Sequence, residues 1–181
     1  MFDQIRQAAG AALGFLSDPL IAGGVCVGSA ALGLTARLAA RRFGWRPVPA
    51  VLAGLFLGLV LGVTFSRTTS NHTAQPGVTQ VDQGFCYVDG FSLHGANELL
   101  NAVLFMPLVL CAVAATHRPV AVFGAAAALS AVIELGQPLL NRGLCETQDF
   151  LNNTAGSLIA TGVVAGLLAL RKRRALSSTS A

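Results

Sequence analysis

Five apolar stretches dominate this chain, each close to the roughly 20 residues a helix needs to cross the hydrocarbon of a bilayer. They run near Pro19 to Ala39, Pro47 to Phe65, Glu98 to Ala115, Pro119 to Leu140 and Phe150 to Leu170, separated by charge or turn residues. Three open on a proline at or near the first helical position, where its missing N–H costs no hydrogen bond. Only 11% of the residues are charged and 54% are hydrophobic, whereas a soluble domain spends about a quarter on charge. The expected fold is therefore all-α: a polytopic transmembrane helix bundle of five spans forming one domain over 19–170. Because its outer surface faces lipid, polar groups inside the spans are the ones that need a reason.

Five spans put the two ends on opposite sides, and basic residues choose which. Arg37, Arg41, Arg42 and Arg46 crowd the first connection, Arg118 sits in the third, and Arg171, Lys172, Arg173 and Arg174 follow the last span. The other side holds Arg6, Arg67 and Arg142. This bias predicts an outside N-terminus and an inside C-terminus. It also explains the positive balance without nucleic acid, as topology signals and contacts with anionic lipid heads. Residues 1–18 make a poor signal peptide, because Asp3 offsets Arg6 and the run ends at Asp18. They read as a surface helix or an extension of the first span. The long connection 66–97 reads as an outer loop with room for a short strand, and 171–181 as a basic, disordered cytoplasmic tail. "NHT" at Asn71 is treated as a chance glycosylation match.

Cys26 and Cys111 fall within spans, where cysteine is usually a small packing residue. Cys86 and Cys145 fall in the two outer loops, in a compartment where disulfides persist. A bridge between them is expected, with two free thiols as the alternative. No metal is expected, since no cysteine pair has zinc spacing and His72, His94 and His117 form no ligand motif. No cofactor is expected either.

The stretch Ile133 to Gly156 keeps Glu134, Gln137, Arg142, Asp149 and Asn153 close together in an otherwise oily sequence. Ser130, Glu134 and Gln137 fall at i, i+4 and i+7 of the fourth span, one stripe on one face. Asp149, Asn153, Gly156 and Ser157 form a stripe on the fifth, and His94, Asn97 and Asn101 one on the third. All three stripes lie toward the outer side, while the inner halves of these spans are nearly bare of polar groups. A carboxylate in hydrocarbon costs roughly 2.5 to 3.5 kcal/mol on insertion scales, so Glu134 is expected to face the bundle. Arg142, Gln137, Asn101 and Asn153 are its candidate partners. The bland reading is that these groups only glue helices together, each contact contributing around 0.6 kcal/mol.

Gly54, Gly58 and Gly62 recur every four residues, as do Gly24 with Gly28 and Gly162 with Gly166; close helix packing is expected at all of them. The same repeats leave room for a homo-oligomer. Pro107 is expected to kink the third span, and Trp45 with Arg46 to anchor the second at the interface.

The order Glu134, Gln137, Arg142, Asp149, Asn153, Gly156, preceded by "NELLNAVLFMP" with Asn101, Phe105 and Pro107, resembles the VanZ-like family of small bacterial membrane proteins. The resemblance covers about 97–170, and the link from Arg142 to Asp149 is about a residue longer than the family pattern. It implies a multi-pass protein of the bacterial plasma membrane, and the family's namesake is associated with resistance to the glycopeptide teicoplanin. Three functions follow. The first is non-enzymatic binding of a lipid, a lipid-linked wall precursor or a lipophilic antibiotic in an outer-leaflet pocket formed by Glu134, Gln137, Arg142, Asp149, Asn153, Asn101 and Asn97. The second is an enzyme using Glu134 and Asp149 as acid and base on an outer-leaflet lipid or wall precursor, although no nucleophile is evident. Transport is the third, opposed by an odd span number and an apolar inner half.

Overall fold

The computed structural model describes residues 6, 10, 19–65, 85–93, 96–140 and 142–179, with the side chains at 20, 96, 97 and 179 excepted. The expected surface helix over 1–18 falls almost wholly outside these residues, as do most of the long loop and His94. The described elements are, in order, α1 (Pro19–Phe43), α2 (Pro47–Phe65), β1 (Cys86–Tyr87), α3 (Ala96–Leu104), α4 (Met106–Thr116), α5 (Pro119–Leu139), β2 (Cys145–Glu146) and α6 (Thr147–Thr179). By length and composition five helical stretches among the described residues can cross a membrane, with α3 and α4 together making the third. The all-α polytopic bundle is thus what the chain forms.

The third span breaks at Phe105, two residues before Pro107. A proline cannot donate to the preceding turn, so α4 restarts with Pro107 in its first turn. The break is shallow: Phe105 stays near helical geometry (φ −83, ψ −17), and the Val109 N–H donates to its carbonyl at 3.0 Å. The Phe105 ring is fully buried and helps form the central apolar core with Val60, Val109, Val113 and Ile133.

One end of the bundle is built around arginine. Gly44, at φ 68, supplies the left-handed residue that ends α1, and the Trp45 N–H closes the turn on the Ala40 carbonyl at 3.0 Å. Trp45 stacks on Phe43 with ring centroids 5.2 Å apart. The Arg46 N–H reaches the Ala115 carbonyl at 3.2 Å, so the α1–α2 turn and the end of α4 share a level that carries Arg41, Arg42, Arg46 and Arg118. α6 begins at the opposite end and returns to this one, bringing Arg171 to Arg174 with it.

Gly54, Gly58 and Gly62 let α2 lie directly on α1. A Cβ at Gly58 would overlap the Ser29 backbone, and one at Gly54 would strike the Leu32 carbonyl and approach Gly33 Cα to 2.8 Å. The expected close packing fails at Gly24, Gly28, Gly162 and Gly166, where a Cβ would meet nothing within 4 Å. A second expectation is also corrected: 171–179 is not a disordered tail but the last turns of α6. Arg, Lys, Ala and Leu are good helix formers, and 171–178 is exposed throughout. At 33 residues the helix is about 50 Å long, against about 30 Å of hydrocarbon.

The opposite end is closed covalently. β1 and β2 pair in parallel, with Cys86 opposite Cys145 and Tyr87 opposite Glu146. Cys86 and Cys145 form the expected disulfide, their Cα atoms 4.6 Å apart. The Thr147 hydroxyl accepts from the Asp89 N–H at 2.8 Å and lies in reach of the Asp89 and Tyr87 carbonyls. On the chain-entropy account, a bridge spanning a sequence separation of 59 contributes about 4 kcal/mol. Cys145→Ser is therefore expected to lower the melting temperature in detergent, and the Cys86→Ser/Cys145→Ser double variant to fall no further than either single one.

Candidate functional site

Helical rise fixes the depth of each side chain. Counting about 20 residues, or 30 Å, from Arg171 back along α6 reaches Leu151, and from Arg118 along α5 reaches Pro138. Asn152 and Asn153 thus sit just inside the hydrocarbon boundary at the disulfide end, Glu134 roughly 6 Å inside it, and Thr161 near the midplane. Among the described residues the buried polar side chains are Thr64, Asn101, Ser130, Glu134, Gln137, Asn152, Asn153, Ser157 and Thr161, none more than 9% exposed. All belong to the half at the disulfide end or to the midplane. In the arginine half the buried residues are apolar, among them Ala40, Ala50, Leu108, Val113, Ala115 and Ala126.

α6 is the hub, because it packs on α3, α4 and α5. Toward α3 its Gly156 faces Ala102 so closely that a Cβ would fall on the Ala102 carbonyl oxygen. That contact sets α3 at a height where Asn101, the neighbour of Ala102, is 5% exposed. Toward α5 the Asn153 amide donates to Ser130 Oγ at 3.1 Å, and Ser157 Oγ back-bonds to the Asn153 carbonyl at 2.8 Å. One turn above Ser130, Glu134 is 5% exposed and its Oε2 accepts the Glu146 backbone N–H at 3.3 Å. The expectation that Glu134 turns away from lipid is met, but the bond described comes from β2 rather than from an amide side chain. Hydrogen bonding from a backbone N–H is a strong way to hold a carboxylate.

The remaining expected residues distribute as follows. Gln137 turns toward α2, where its amide lies 3.4 Å from the Thr64 carbonyl, and Gly143 folds over it, leaving room for a Cβ only 3.1 Å from its amide carbon. Arg142 is exposed; its backbone N–H donates to the Gln137 carbonyl at 2.8 Å, and among the described residues its guanidinium has no ion-pair partner. Asp149 is half-buried in the first turn of α6, where a carboxylate is favoured by the helix dipole. Asn97 lies on the first turn of α3, but its side chain is outside the described set.

The sequence reading left out Asn152 and Thr161, and weighed Thr154 only as a nucleophile lacking a histidine motif. Asn152 stands three residues after Asp149 and four before Gly156, so helical spacing carried the signal. It is fully buried, and among the described residues neither its amide nitrogen nor its oxygen has a hydrogen-bond partner. Asn101 Nδ2, Asn153 Oδ1, Thr154 Oγ1 and Thr161 Oγ1 are in the same condition. Each such buried group costs about 1–3 kcal/mol, and native proteins keep only a few per 100 residues. Among the described residues six such atoms lie on Asn101 of α3 and on 152–161 of α6, with Thr154 and Thr161 about half a turn round the helix from Asn152.

Chemically these side chains offer amide donors, amide and hydroxyl acceptors, and one carboxylate. Ser130 and Ser157 are tied to Asn153, and the one histidine among the described residues, His117, lies at the arginine end. Among the described residues no group of histidine, cysteine, aspartate or glutamate could hold a metal ion.

A bundle that hides its polar side chains in one half of the membrane thickness defines a class, the polytopic α-helical membrane protein with buried intramembrane polar residues. The model of the VanZ/LLP1 family matches residues 30–169, and the chain belongs to that family. The match takes in most of α1 and all of α2, well beyond the part about 97–170 that carried the resemblance. No curated protein and no solved structure matches significantly.

Gly156 is the tightest joint of the site. Gly156→Ala is expected to force α3 from α6 and destabilise by about 1–3 kcal/mol, as overpacking does. Gly162→Ala, with open space around it, is expected to be neutral or mildly stabilising in the same thermal-unfolding measurement.

Proposed function

We propose that this protein is a non-enzymatic component of the bacterial plasma membrane that binds the polar head of an amphiphile in the outer leaflet. The observation that carries the reading is the buried, unpartnered amide of Asn152 on α6, together with the unpartnered Asn101 amide nitrogen on the facing α3. A polar ligand entering between α3, α5 and α6 would pair with them and recover their desolvation cost. Orientation follows from the arginine bias, which puts residues 37–46, Arg118 and 171–174 inside, and from a disulfide suited to an oxidising exterior. Arg142, exposed at the rim, would meet a phosphate or carboxylate as a bidentate donor. The occupants that fit are a phospholipid, a lipid-linked wall precursor or, by family association with its namesake, a lipophilic glycopeptide of the teicoplanin kind.

Native mass spectrometry on protein extracted in mild detergent tests this. The wild type is expected to retain amphiphile adducts that Asn152→Leu and Glu134→Gln lose, with membrane abundance unchanged. Adducts equal in all three proteins would refute the reading, and parallel loss of abundance would support helix glue. The enzymatic alternative, with Glu134 and Asp149 as acid and base, predicts instead a new lipid product when membranes with and without the protein are compared.

A further inference from the structure

We infer that segment 85–93 is a membrane-inserting loop, whose partner is the phospholipid of the leaflet at the disulfide end. Phe85, Val88, Phe91 and Leu93 are 58%, 86%, 55% and 44% exposed, a concentration of large apolar groups that a loop in water does not keep without a purpose. The segment is held in place, by the Cys86–Cys145 bridge, by the two-residue pairing with β2 and by the Thr147 hydroxyl on Asp89. These residues are thus presented on a frame.

Depth identifies what they are presented to. Tyr87 lies opposite Glu146, only about five residues of helical rise, or 8 Å, above the hydrocarbon boundary reckoned at Leu151. That is the head-group zone, where side chains with apolar bodies bury into the top of the acyl region. The patch also continues a lipid-facing surface, since Leu139 and Leu140 at the end of α5 are 70% and 60% exposed. Residues 66–84 are ill suited to cover it, having only Val78 and Val81 as large apolar residues. Because β2 also gives its Glu146 N–H to Glu134, the inserted loop and the buried polar groups share one rigid support. The inference rests on the span assignment and stands whether or not those groups bind a ligand.

Trp45 is the only tryptophan, so Val88→Trp and Phe91→Trp can each be placed in a Trp45→Phe background. Val88 is so exposed that its replacement leaves folding intact, which the disulfide's mobility shift on non-reducing gels verifies. Each variant is reconstituted into phosphatidylcholine/phosphatidylglycerol vesicles containing phosphatidylcholine brominated near the top of its acyl chains. Both tryptophans are expected to emit at blue-shifted wavelengths and to lose most of their emission to the brominated lipid, while aqueous iodide has little effect. Quenching by iodide instead would place the loop in water. Quenching by neither would place it under residues 1–18 or 66–84 or a second copy, and either result overturns the inference.

Discussion

In hydrocarbon a polar group has no water to turn to, and each one left unpaired costs several kcal/mol. That scarcity orders the whole molecule. It makes every span a helix, which satisfies its own backbone, and it confines polar side chains to helix faces that look inward. Where a helix end or break must occur, a partner is supplied: Ala40 takes the Trp45 N–H, Val113 takes that of His117, and Ala115 that of Arg46. Thr64 and Thr116 return their hydroxyls to their own helices at 2.8 Å.

The same constraint makes the exceptions informative. At the arginine end the core is closed with alanine, valine and leucine, while glycine joins α1 to α2 along most of their length. At the disulfide end the chain accepts a buried glutamate and a group of amides, and it surrounds them with rigid parts: a disulfide, a short parallel pairing, a threonine staple and the Gly156–Ala102 contact. A frame this well fixed would hold donors and acceptors in place rather than let them relax onto one another, which is the requirement for a preorganised site.

Much of this is legible in the sequence. Run length gives the spans, because hydrocarbon thickness translates directly into residue count, and loop location gives the Cys86–Cys145 bridge. Glu134 is expected to face inward from its cost alone. Other features depend on contacts that spacing does not encode. Nothing in a period of 3.6 says that Gln137 will seek a backbone carbonyl on α2, that Glu134 will be met by the N–H of Glu146, or that Gly162 and Gly166 will face open space while Gly156 is wedged. Asn152 has the right spacing and is overshadowed by Asn153, its neighbour in the same pair. The stretch from Arg171 onward departs from expectation because the helix propensity of its Arg, Lys, Ala and Leu residues outweighs its polar composition.

The central claim is that the buried polar groups where α3, α5 and α6 meet serve something other than one another. A density map of the protein in lipid nanodiscs, fine enough to show ordered small molecules, addresses it most directly. The account predicts non-protein density within hydrogen-bond reach of the Asn152 amide, continuing toward Asn101 or Glu134. A dry interface, with the Asn152 amide bonded to groups of a neighbouring helix, would contradict it.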